Sequence, residues 1–221
     1  MSSTRKTQAG FTLIEMIVSL AIFSIIVTMT IGALLVLIAN NQKLQSEQSV
    51  MTNLSFALDS MTREIRTGTN YYCDDSQNDN GNNNIFNPSN NIDTLYINGT
   101  QSCEGGRQNN RNYQGIMFTE AGDSITGAGN RILYFFDQSS TTNKMIKRRV
   151  GNGAAQPIVS SGLEIINAEF FVSGAEPRSL GPINLADLAQ PTVTIHIIAK
   201  EIDNSKLYYL QTTVTQRTLD L

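Results

Sequence analysis

Phe11-Thr12-Leu13-Ile14-Glu15-Met16-Ile17-Val18-Ser19-Leu20 opens a segment that, after Glu15, carries no ionisable side chain until Lys43. The run from Met16 to Ala39 is uncharged and predominantly apolar, and as a helix rising 1.5 Å per residue it reaches about 36 Å, more than a hydrocarbon core of about 30 Å. It is long enough to cross a bilayer. Arg5 and Lys6 precede the run and no comparable basic cluster follows it, so the positive-inside rule predicts a cytoplasmic N-terminus and an extracytoplasmic remainder. A secretory signal peptide has an apolar region of only about 7–15 residues and a small-residue cleavage site. Here the run is longer and ends Leu37-Ile38-Ala39-Asn40-Asn41, with bulky Leu37 where a small residue is needed. Glu15 is the residue that needs explaining, because a charge inside a span costs roughly 2.5–3.5 kcal/mol on the lenient insertion scales.

Gly10-Phe11-Thr12-Leu13-Ile14-Glu15, with basic residues just upstream and the apolar run just downstream, resembles the cleavage and methylation motif of type IV prepilins and type II secretion pseudopilins. The resemblance implies that a membrane-embedded prepilin peptidase cuts between Gly10 and Phe11 and that Phe11 becomes the N-methylated N-terminus. It also implies that Glu15 is the assembly carboxylate, pairing with the N-terminal amine of a neighbouring subunit. It covers the first third of the chain, and residues 1–10 are the expected leader.

The 221-residue chain has a formal charge of −3. Removing residues 1–10 takes away Arg5 and Lys6 and leaves 14 basic against 19 acidic side chains, a charge of −5. That mild acidity argues against nucleic acid as the primary partner. About 150 residues beyond the anchor suffice for one domain with its own core. The expected division is a leader at 1–10, a transmembrane helix at 11–39, an amphipathic continuation at 40–68 and a β-rich head at 69–221.

Leu44, Met51, Leu58 and Ile65 recur every seven residues, with Leu54 and Met61 three positions after Met51 and Leu58. This stripe predicts a helix over 40–67, packed on the chain's own head or coiled against another subunit, with Gly68 as its stop. Residues 74–91 are rich in Asn, Asp and Ser and read as a long surface loop. Strands are expected at Ile92–Asn98, Gly115–Glu120, Arg131–Asp137, Lys144–Val150, Leu163–Val172, Thr192–Lys200 and Lys206–Arg217. Arg131–Asp137 should pair with Lys144–Val150 as a hairpin, and Thr192–Lys200 with Lys206–Arg217. One long helix followed by antiparallel strands is an α+β head. That order, with Arg131-Ile132-Leu133-Tyr134-Phe135-Phe136 and the closing hairpin, looks similar to minor pseudopilins of the J type and to larger minor pilins.

Cys73 and Cys103 are the two cysteines, and they bracket the polar loop. In an extracytoplasmic domain two cysteines usually pair, and closing a loop of about 30 residues would stabilise by roughly 3–4 kcal/mol. Two buried free thiols are the alternative; a metal site would lack ligands. Asp74, Asp75 and Asp79 suggest calcium, but Asn80 stands where an EF-hand needs Gly and Phe86 where it needs the bidentate Glu, so no metal or cofactor is expected. His196 lies in a strand without a nucleophile motif, and Gly151-Asn152-Gly153 and Gly127-Ala128-Gly129 read as turns, so no catalytic residue is identified. Lys147-Arg148-Arg149 reads as a solvated face or a subunit contact.

The resulting expectation is a minor pilin or pseudopilin held in the inner membrane. Its partners would be prepilin peptidase, the assembly platform, membrane lipid and other pilin subunits. The alternative from another class is a membrane-anchored binding or adhesion domain that never polymerises.

Overall fold

The computed structural model describes residues 10–74, 85–94, 113–121, 131–140, 144–160, 162–175, 190–202 and 205–217. The chain divides into two compact units, Met1–Ser49 and Val50–Leu221.

Helix α1, Leu13–Thr67, begins in the first unit and ends in the second. It is the one helix among the described residues long and apolar enough to cross a membrane, with a mean hydropathy of 2.7 in its most apolar window and none of that window buried. Its apolar half still contains hydroxyls, and these bond back along the helix. Ser19 donates to the Glu15 carbonyl at 2.6 Å, Ser24 to Leu20 at 2.8 Å and Thr30 to Ile26 at 2.7 Å. Hydroxyls that bond back to the helix carry a smaller desolvation penalty than unpaired ones would.

In the second unit the helix presents Val50, Leu54, Ala57, Leu58, Met61 and Ile65 to the core. The expected packing on the chain's own β head is therefore observed, with one correction: Leu44 and Met51 are exposed. A strict seven-residue repeat drifts around a helix of 3.6 residues per turn, so Val50 rather than Met51 falls on the buried line.

Gly68 ends the helix, its N–H reaching the carbonyls of Glu64 and Ile65 at 3.0 and 3.1 Å. The expected stop is in place, but a left-handed conformation is not what requires glycine there, because Gly68 is not among the residues with positive φ. A Cβ there would lie 2.3 Å from Phe118 Cδ2, so close approach is the reason. Several carbonyls at this helix end also accept from elsewhere, as a helix end inside a core demands. The Tyr71 hydroxyl lies 2.7 Å from Ile65 O and 2.9 Å from Gly68 O. Gln216 Nε2 donates to Gly68 O at 2.9 Å and Arg217 N to Arg66 O at 2.7 Å.

Strands β1 (Thr69–Asp74), β2 (Gly115–Thr119), β3 (Arg131–Asp137), β4 (Met145–Val150) and β5 (Gln156–Pro157) form an antiparallel sheet in that order. Strands β6 (Leu163–Ser173), β7 (Thr192–Glu201) and β8 (Leu207–Thr215) form a second antiparallel sheet. Both expected hairpins are present, β3 with β4 and β7 with β8. The near-continuous apolar run of β3 marks a strand buried on both faces. Ile132, Tyr134 and Phe136 join the main core with α1 and the inner face of the second sheet. Leu133 and Phe135 join a smaller cluster with Ile85, Ile92 and Met117.

The structure departs from the expected strands. Strand β1 follows Gly68 directly and β5 closes the first sheet, and neither was among the strands expected. The expected strand at Ile92–Asn98 is a 3-10 turn over Ile92–Thr94, with 95–98 outside the described residues. The polar stretch 74–91 is not all surface loop: Asp74 ends β1, and Ile85 is fully buried within the smaller cluster. Asp75, Asp79, Cys103 and Gly127–Gly129 lie outside the described residues.

Candidate processing and assembly site

The N-terminal site residues lie together at the start of α1. Gly10, Phe11 and Thr12 precede the helix and are exposed. Thr12 is the N-cap, because its carbonyl accepts from the N–H groups of Glu15 and Met16 at 3.1 and 3.3 Å, and its Oγ1 lies 3.4 Å from Glu15 N. Thr12-Leu13-Ile14-Glu15 therefore has the Thr-x-x-Glu spacing of a capping box, with an acidic side chain in the first turn where the helix dipole favours it. The Gly10–Phe11 peptide bond consequently sits outside the helical hydrogen-bond ladder. Glu15 is exposed at the head of the apolar run.

Cys73 is buried on β1, opposite Ile116 of β2. Its sequence-predicted partner is Cys103, outside the described residues. His196 lies on β7 with its ring 5.3 Å from that of Phe171, edge to face, which agrees with a packed strand residue.

The basic run is the clearest correction at the level of side chains, because none of Lys147, Arg148 and Arg149 is a free cation. Lys147 Nζ pairs with Asp137 at 2.5 Å. Burial alone would raise the Asp137 carboxyl, but hydrogen bonds from Lys147 and Ser139 outweigh it and hold it below its usual range. Arg148 grips Glu64 of α1 through Nε at 2.9 Å and Nη2 at 3.0 Å. Arg149 is buried and donates to the carbonyls of Asn87, Pro88 and Asn90, so the charge that looked solvated organises the loop before the 3-10 turn. Strand alternation sends Arg148 to the helix side and its neighbours to the other.

Sequence reasoning missed the cluster of Glu64, Tyr134 and Arg148. Its available signal was Glu64 itself, three residues after core residue Met61 and next to core residue Ile65, a carboxylate on the edge of an apolar stripe.

Residues 5–31 match the family described as the prokaryotic N-terminal methylation motif. No curated protein and no solved structure matches the chain. The match supports the type IV pilin and pseudopilin family, and with the apolar helix it fits a membrane-anchored pilin. The motif implies processing by prepilin peptidase and assembly with other pilin subunits.

Proposed function

We propose, from a chain whose N-terminus carries the prepilin methylation motif, that this protein is a minor pilin or pseudopilin, a structural subunit of a type IV pilus or type II secretion pseudopilus. Prepilin peptidase cuts between Gly10 and Phe11, Phe11 is methylated, and the mature chain waits in the inner membrane with its head outside until the assembly platform adds it to a filament. Cys73 and Cys103 form a disulfide that ties the intervening segment to β1.

The observation that carries this reading is the position of Glu15. It is the sole ionisable side chain between Leu13 and Gln42, on the first turn of an exposed apolar helix whose hydroxyls are already satisfied. The capping geometry accounts for a carboxylate that is comfortable in water. It does not account for one that stays at the head of a span, where an opposite charge is needed to offset desolvation. A neighbour's Phe11 methylammonium supplies that charge, and attraction between the two grows as the local dielectric falls.

The test is incorporation of the Glu15→Ala variant, made with a cognate peptidase and assembly machine and followed by cross-linking to filament subunits. The variant should insert and be processed yet be recovered in filaments at a small fraction of the wild-type level. Incorporation equal to wild type would overturn the assembly role of Glu15, and a wild-type chain that is itself absent from filaments would favour the non-polymerising anchored domain.

A further inference from the structure

The two sheets have four edges, and three of them are blunted. β1 is broken by a register shift between Thr69 and Tyr72, with Asn70 at φ 56. β5 is two residues long and ends in proline. The outer edge of β6 is bonded to other segments, Ile165 N to Lys144 O and Phe170 N to Tyr113 O, each at 2.9 Å. Short strands, bulges, proline and cover are the devices by which proteins prevent edge pairing.

β8 has none of them. Leu207-Tyr208-Tyr209-Leu210-Gln211-Thr212-Thr213-Val214-Thr215 contains no proline, glycine or charge, it pairs with β7 in unbroken register, and it is dominated by residues that favour strands. Which of its backbone groups face outward follows from alternation. Gln216 N donates to Pro191 O on the β7 side, so Thr215, Thr213, Gln211, Tyr209 and Leu207 turn their N–H and C=O groups the other way. Arg217, next in that series, confirms the direction by donating outward, to Arg66 O. All five outward residues are exposed, and none of their outward-facing backbone groups bonds to another described segment, while Thr213 Oγ1 meets Thr194 Oγ1 of β7 at 3.0 Å.

We propose that the β8 edge pairs with β8 of a second copy of this chain, antiparallel and centred on Gln211. That register is the one in which all five outward residues of each copy meet outward residues of the other. Gln211 faces Gln211, Tyr209 faces Thr213 and Leu207 faces Thr215, aromatic and aliphatic side chains against β-branched ones and no like charges in direct opposition. Such a two-fold contact closes on itself, whereas filament contacts run head to tail, so the pair describes the protein before assembly. It does not depend on the N-terminal processing proposed above.

The test is the association state of the full chain in detergent micelles, by sedimentation over a range of protein-to-detergent ratios. Two variants at an exposed position whose N–H the fold does not use are compared with wild type: Gln211→Lys, which sets two cations face to face, and Gln211→Pro, which removes an edge donor where proline is tolerated. Wild type should dimerise. Both variants should weaken the dimer by at least about tenfold while keeping the wild-type thermal midpoint. Gln211→Cys should give a covalent dimer under mild oxidation, since directly opposed strand residues lie within disulfide reach. A wild type that stays monomeric at every ratio overturns the proposal. So does a dimer that survives both substitutions, which would place the contact on the apolar helix or another surface. A Gln211→Cys protein that fails to cross-link while the wild type dimerises would overturn the register.

Discussion

Arg148 closes a two-pronged pair onto Glu64, with Nε 2.9 Å from one carboxylate oxygen and Nη2 3.0 Å from the other, across 84 positions of sequence. Tyr134, directly opposite Arg148 in the β3–β4 register, donates its hydroxyl to the same carboxylate at 2.6 Å. One acidic side chain on the helix is thus read by two neighbouring strands. The contact fixes the rotation of the helix against the sheet in a way that interchangeable apolar residues could not.

Glu64→Gln keeps the shape of that side chain and removes its charge. Because Glu64 and Arg148 are each about a third exposed, solvent screens the pair, and the expected loss is about 1–2 kcal/mol rather than the larger cost of a buried pair. Thermal unfolding should show a midpoint lower by about 2–4 °C per kcal/mol. A double-mutant cycle with Arg148→Met should return a coupling of at least about 0.5 kcal/mol. Additive effects would show that the two residues do not share a bond.

Tyr134 makes the same site sensitive to alkali. Burial, then the hydrogen bond and charge of Glu64, push its phenol well above the ordinary value of about 10. A group whose folded pKa is raised holds its proton more tightly when folded, so its contribution is fully present below pH about 10 and is lost as pH rises through the folded value. Wild type should therefore lose stability faster above pH about 10 than Tyr134→Phe does, while the two run parallel near neutrality. Parallel curves into the alkaline range would contradict the role given to the phenol.

The extent to which this was legible in the sequence differs element by element. The stop at Gly68 and the two hairpins follow from local chemistry and period, and all three appear in the fold. β1 escaped because Thr69-Asn70-Tyr71-Tyr72-Cys73-Asp74 begins one residue after the helix, with Gly68 before it and Asn70, at φ 56, inside it, residues that locally read as a turn. Ile85 was hidden in asparagine-rich sequence, where Arg149 gathers the carbonyls of Asn87, Pro88 and Asn90 from another strand. The charges of Lys147, Arg148 and Arg149 were visible, but their partners come from three different segments. Local sequence carries no record of such distant pairing. At the N-terminal site the motif was plain, whereas the capping contact of Thr12 with Glu15 needed the helix start to be located.

The proposed Cys73–Cys103 bond predicts a redox-dependent head. Non-reducing peptide mapping should recover the linked pair, and the Cys73→Ser, Cys103→Ser double variant should unfold at lower temperature, with a loss of up to about 3–4 kcal/mol, while still inserting in the membrane. Two free thiols under oxidising conditions would count against the bond.

The central claim is that this chain is a processed prepilin, and the mature N-terminus tests it most directly. Mass spectrometry of the N-terminal peptide, on protein made with a cognate peptidase, should find a chain that begins at Phe11 and carries one added methyl group on its amine. A chain that still begins at Met1 or Ser2 in the presence of active peptidase would contradict the account.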